Sequence, residues 1–97
     1  MISKAELDRM IREKEDFVII DVREDYEFEE NNLGGVNIPL DTVMENREKI
    51  DTTKPVVFCC KSGKRSAAMA HTLERKYQMS NLFTLRGGLE SYFESKQ

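Results

Sequence analysis

Apolar residues in this chain fall into short continuous runs, separated by longer stretches in which they recur every three or four positions. Phe17-Val18-Ile19-Ile20 is unbroken and β-branched, which predicts a strand buried on both faces. Val36-Asn37-Ile38 predicts a shorter strand that Pro39 ends. The Lys54-Pro55 break sets off a third, Val56-Val57-Phe58-Cys59, and Leu82 to Leu85 reads as a last strand. The helical spacings lie between them. Ser3 is a good N-cap with Glu6 completing a capping box, and Leu7, Met10 and Ile11 then share one face. Asp41 or Thr42 caps an expected helix whose inner face carries Val43, Met44 and Ile50. Ser66, Met69, Ala70, Leu73 and Tyr77 make a stripe on the next helix, with Met10, Met44, Met69 and Met79 as core or rim filler. Gly87-Gly88 turns the last strand into a terminal helix bearing Leu89, Tyr92 and Phe93. The polar tail Glu94-Ser95-Lys96-Gln97 is expected to fray.

Short strands alternating with helices predict an α/β domain around a small, mostly parallel sheet. Ligands of such sheets bind beyond the carboxyl ends of the strands. Asp21 and Cys60 both stand at such ends.

Composition narrows the classes. Ninety-seven residues suit one domain, 1–97, with a single core. Hydrophobic content of 39% against 34% charged is that of a soluble globular protein. No apolar stretch approaches the roughly 20 residues that cross a bilayer. Met1 to Glu6 lacks a signal-peptide pattern, so a cytoplasmic location and no membrane partner are expected. The net charge is −3 and the cations form no long stripe, which argues against nucleic acid. The cysteines, Cys59 and Cys60, are adjacent and strained for pairing, and with one His they cannot close a zinc site. No metal or cofactor is expected, and a reduced, working thiol fits better.

That thiol opens the most telling segment, Cys60-Lys61-Ser62-Gly63-Lys64-Arg65-Ser66. A strand end, a short Gly-containing loop and a helix start make a cradle for an anion. The inward N–H groups and the charges of Lys61, Lys64 and Arg65 favour the thiolate of Cys60, hence a nucleophile. A buried core role is the bland alternative for Cys60, and it is the favoured one for Cys59, whose side chain should face the other way. Lys61 and Lys64 read as recruiters of an anionic donor or as solvated loop charges. Arg65 reads as part of the cradle or as a clamp on Glu24 or Glu27. Asp21 and Arg23 read as a structural tie at a strand end, and His71 as an exposed, inert helix residue.

The loop resembles the active-site loop of rhodanese-type sulfurtransferases. Val18 to Glu24 with Tyr26-Glu27-Phe28, Val36-Asn37-Ile38-Pro39-Leu40 and Leu85-Arg86-Gly87-Gly88-Leu89 resemble three further family segments in the same order. Together they cover about Ile2 to Phe93. The departures are Asn31-Asn32-Leu33-Gly34-Gly35, one residue shorter with Asn in place of a loop-organising His, and Tyr92 where a Trp is common. The resemblance implies a rhodanese-like α/β fold with about five strands and helices on both faces. It also implies a monomeric sulfurtransferase without cofactor. Cys60 would take sulfur from a small anionic donor such as thiosulfate and pass it to a thiol or protein acceptor. Lys61, Ser62, Gly63, Lys64 and Arg65 would hold the substrate, with Asp21, Arg23 and Ser66 in support. Two readings compete with it. One is a non-catalytic binding module of the same fold. The other is a phosphatase or arsenate reductase, whose loops place five residues between Cys and Arg where this chain places four.

Overall fold

The most apolar run of the chain becomes the centre of the sheet. In the computed structural model, which describes residues 1–94, strand β3 (Val56–Cys59) is buried along its whole length. Strand β1 (Val18–Asp21) pairs with it in parallel from Val18↔Val56 to Asp21↔Cys59. Strand β4 (Leu82–Thr84) covers the other side, and β2 (Val36–Asn37) extends the sheet beyond β1. The order is β2-β1-β3-β4, all parallel. Ile2 adds a single parallel bridge to Leu85, so the expected fifth strand is one residue long.

Period-2 alternation then sorts the core onto two faces. Ile20, Val56, Phe58 and Cys60 join Val43, Ile50 and Leu73 on one side, under helix α3 (Lys64–Tyr77). Ile19, Val57 and Cys59 meet Leu7 of helix α1 (Lys4–Arg12) and Leu89 and Tyr92 of helix α4 (Gly88–Glu94) on the other. Helices therefore cover both faces, as expected. The frayed-tail expectation for 95–97 lies outside the described residues.

Five local readings change. The Asp41/Thr42 helix is two 3₁₀ turns, Leu40–Thr42 and Arg47–Lys49. Side chains there compete for carbonyls that a continuous helix would use: Asn46 Nδ2 donates to Thr42 O at 2.8 Å and Arg47 Nη1 to Met44 O at 2.8 Å. Val43 and Ile50 are buried all the same. A short helix α2 (Asp25–Glu30) was not foreseen; none of its residues is buried, so no apolar stripe announces it. Its start is marked instead by Glu27 Oε1 accepting from Glu24 N–H at 3.1 Å. Ile11 flanks the buried Leu7–Met10 pair of α1 and is 40% exposed. At its N-terminus Ser3 Oγ accepts from Glu6 N–H at 3.1 Å, while the Glu6 carboxylate turns to Arg9. Tyr77, the end of the α3 stripe, is also exposed, with the Arg47 guanidinium stacked over its ring at 4.6 Å.

The face holding Cys59 and Tyr92 makes the fold sensitive to alkali. Burial first, then the charges of Asp21 and Cys60, push the Cys59 thiol up from 9.0 to about 12, against the opposing pull of Arg23. Burial and the hydrogen bond from Tyr92 Oη to Asp8 push the tyrosine from 10.0 to about 12. Both protons are held more tightly in the folded chain, so their contribution is intact below about pH 9 and lost as pH rises through about 12. Urea unfolding at a series of pH values should show stability falling across that window. Cys59→Ala should flatten its lower part; a flat profile for the unaltered protein would contradict the assignment.

Candidate active site

The chain runs β1→β2 toward one edge and β3→β4 toward the other, so the sheet reverses direction between β1 and β3. A crevice opens at the carboxyl ends of strands at such a point. Asp21 ends β1 in register with Cys59, and Cys60 is the next residue out.

Cys60 is 2% exposed and packs in the α3-side core. Its Sγ accepts from Gly63 N–H at 3.1 Å and Ser66 N–H at 3.4 Å. The thiol lies 3.4 Å from Ser66 Oγ, to which it donates, while the Ser66 hydroxyl donates to Gly63 O at 3.1 Å. On ionisation of the sulfur that hydroxyl can turn and donate to it instead. Ser66 is fully buried, so these donors are fixed by packing. Gly63 caps α3 with φ +93°, in the left-handed region that favours glycine. The sulfur thus sits against the positive end of a 14-residue helix, where a negative charge is stabilised.

The loop is held from behind by α4. Leu89 N–H donates to Cys60 O at 2.8 Å and Glu90 N–H to Lys61 O at 2.9 Å. First-turn N–H groups that lack intrahelical partners are thereby satisfied, and two loop carbonyls are fixed. The approach is so close that a Cβ on Gly88 (φ +69°) would lie 2.3 Å from Lys61 O. The sequence marked the Gly87-Gly88 turn but not this contact.

Asp21 and Arg23 form the tie expected of them. Arg23 Nη2 reaches Asp21 Oδ2 at 2.8 Å and its Nε reaches Oδ1 at 3.0 Å, with both residues buried. Arg23 Nη2 also donates to Asn31 O at 2.6 Å and Nη1 to Asn31 Oδ1 at 3.3 Å. Burial disfavours the Arg23 cation, but the bonds and charge of Asp21 outweigh it and raise the guanidinium above its ordinary value. Asn37, absent from the sequence reading of the site, donates to Asp21 O and Arg23 O at 2.9 and 3.0 Å.

Lys61, Ser62, Lys64 and Arg65 are all exposed. Among the described residues the three cations form no ion pair. The clamp of Arg65 on Glu24 or Glu27 is therefore not formed. Lys61 lines a cleft on the α4 side and Lys64 one on the other side; Arg65 lines neither. Cys59 faces the opposite core, and its pKa, raised to about 12 chiefly by burial, leaves it a thiol at neutral pH. His71 is exposed on α3.

A family model described as Rhodanese-like domain matches residues 3–95. The chain belongs to the rhodanese-like domain family. It is similar to Uncharacterized protein YqhL of Bacillus subtilis (strain 168), 40% identical over 76% of this chain, and spans 59% of that relative's length. Thiosulfate sulfurtransferase GlpE of Coxiella burnetii (strain RSA 331 / Henzerling II) is 32% identical over 81% of this chain and 74% of its own. The crystal structure of a rhodanese-related protein from Thermoplasma volcanium superposes with a TM-score of 0.84. It is 27% identical, covering 97% of this chain and 90% of that one. Asn31, in the stretch that departs from the family pattern, accepts from Arg23 through its side-chain and backbone oxygens.

Four variants test the supports. Gly88→Ala should cost about 2–5 kcal/mol, combining left-handed backbone with a backbone clash, and should change the rate at which iodoacetamide labels Cys60. Gly34→Ala, at φ +85° with nothing within 4 Å, should cost only the backbone part. Equal losses in urea unfolding would show that the loop contact adds nothing. Arg23→Ala strands a buried carboxylate and should cost about 3–5 kcal/mol, with Asp21→Ala/Arg23→Ala costing less than Arg23→Ala alone. A double variant weaker than Arg23→Ala would refute the tie.

Proposed function

We propose that this rhodanese-like domain is a sulfurtransferase that carries sulfur on Cys60. The observation that supports it most is the surroundings of Cys60 Sγ: two backbone N–H groups and a hydroxyl at the N-terminus of α3. The two N–H groups, joined by the hydroxyl once it turns toward the ionised sulfur, stabilise an anionic sulfur without a metal, an organic cofactor or a general base. The name of the Coxiella relative, a thiosulfate sulfurtransferase, agrees with the chemistry.

In the first half-reaction the Cys60 thiolate attacks the outer sulfur of thiosulfate. A sulfur–sulfur bond forms to Cys60, the bond to the sulfonate sulfur breaks, and sulfite leaves with the electron pair. The product is Cys60–S–S⁻, whose outer sulfur takes N–H groups of the Lys61–Arg65 loop. In the second half-reaction a thiophilic acceptor, cyanide in an assay or a thiol in a cell, attacks that outer sulfur and Cys60 leaves as thiolate. Lys61, Lys64 and Arg65 supply positive potential for the donor. Asp21, Arg23 and Ser66 keep the frame in place. The short loop is sized for one sulfur atom rather than a tetrahedral phosphoryl group.

Mass spectrometry of the protein incubated with thiosulfate should show one added sulfur atom, removed by cyanide or a reductant. Cys60→Ser should abolish the gain, and Cys59→Ser should largely keep it. Aryl phosphate hydrolysis should stay at background. Persulfide on Cys59 alone, or phosphatase activity that depends on Cys60, would overturn the proposal.

A further inference from the structure

The two clefts beside the Cys60 loop differ in charge. The α4-side cleft, about 280 Å³, carries Lys61 and Arg23 among the carboxylates of Glu27, Glu30 and Glu90, and Arg23 is already paired with Asp21. The other, about 360 Å³, opens between the start of α3 and the turn after β4. Its charged side chains are those of Lys64 and Arg86, both cations, and neither forms an ion pair among the described residues. A dianion approaching over the first cleft meets three carboxylates; over the second it meets two unopposed cations.

Arg86 is well placed for this. Its backbone N–H donates to Ile2 O at 2.9 Å, and it directly precedes the Gly87-Gly88 turn that seats α4 on the loop. The same cleft is lined by Gly63, whose N–H lies 3.1 Å from Cys60 Sγ. One side of the cleft thus reaches the group that holds the sulfur. A guanidinium can also grip two oxygens of a sulfonate at once, which a lysine ammonium does less well.

We propose that Arg86 is a specificity-determining residue that selects a doubly charged sulfur donor, and that such donors reach Cys60 from the Lys64–Arg86 side. The proposal rests on the sulfurtransferase reading and adds to it a route and a residue outside the Cys60–Arg65 loop. Lys64 supplements the field from α3. The donor class is a small dianion with a terminal sulfur on an oxyanion head.

The test compares thiosulfate with a neutral donor, dimethyl trisulfide, with cyanide as acceptor. Arg86→Gln should raise the KM for thiosulfate about five- to tenfold with kcat within about twofold, as expected for loss of one charge near a dianion. Arg86→Lys should recover part of that KM, and the KM for dimethyl trisulfide should not move. Glu30→Gln, which lines the opposite cleft, should leave the thiosulfate KM unchanged or lower it. An unchanged thiosulfate KM in Arg86→Gln, or an equal rise for both donors, would overturn the proposal. A second measurement needs no turnover: the ratio of Cys60 alkylation rates by iodoacetate and by neutral iodoacetamide. That ratio should fall about threefold in Arg86→Gln, and a constant ratio refutes Arg86 as a gate for anions. If thiosulfate adds no sulfur to Cys60, the sulfurtransferase reading fails by itself, and the alkylation ratio decides whether Arg86 governs the approach of anions.

Discussion

Two hydrogen bonds from the start of α4 to the carbonyls of Cys60 and Lys61 organise the site. A loop of this kind leaves backbone groups that neither β3 nor α3 can satisfy. By fixing two carbonyls from behind, α4 leaves Gly63 and Ser66 N–H free to meet the sulfur. The contact needs backbone against backbone, so Gly88 cannot carry a side chain. The apolar grip of Leu89 and Tyr92 on the sheet sets where α4 lies, and thereby where the sulfur's donors lie. The core and the candidate chemistry are in this sense one construction.

The strands and the placement of Cys60 were legible in the sequence because each rests on a local, strong signal. Four apolar residues in a row after Pro55, followed by a polar Gly-containing loop, leave few options for Val56 to Arg65. The opposed burial of Cys59 and Cys60 follows from strand alternation alone. What was illegible depends on polar side chains choosing backbone partners. Asn46 and Arg47 dissolve an expected helix into tight turns, and Glu24 with Glu27 starts one that has no buried face. Arg86 was hidden for a different reason: its relation to Lys64 exists only once β4 brings the two segments together across the sheet end.

The buried Asp21–Arg23 pair shows how a charged group can serve a site without touching it. Arg23 is satisfied on one side by the carboxylate and on the other by Asn31 O and Oδ1. Asn37 covers the carbonyls of Asp21 and Arg23. The end of β1, the loop after α2 and the end of β2 are thereby locked together beside the Cys60 loop. Because both partners lie out of water, the lock is stiff, and loss of one half is far costlier than replacement of the pair.

Strand alternation also separates two neighbouring thiols. Cys59 points into the core beneath α1 and α4, and Cys60 into the core beneath α3. An adjacent thiolate on the same side could attack a persulfide, expel sulfide and close a disulfide. Here the sheet itself stands between the two sulfurs, and Cys59 keeps its proton at neutral pH. Sulfur loaded on Cys60 would therefore wait for an external acceptor, and its lifetime would be set by encounter rather than by internal discharge.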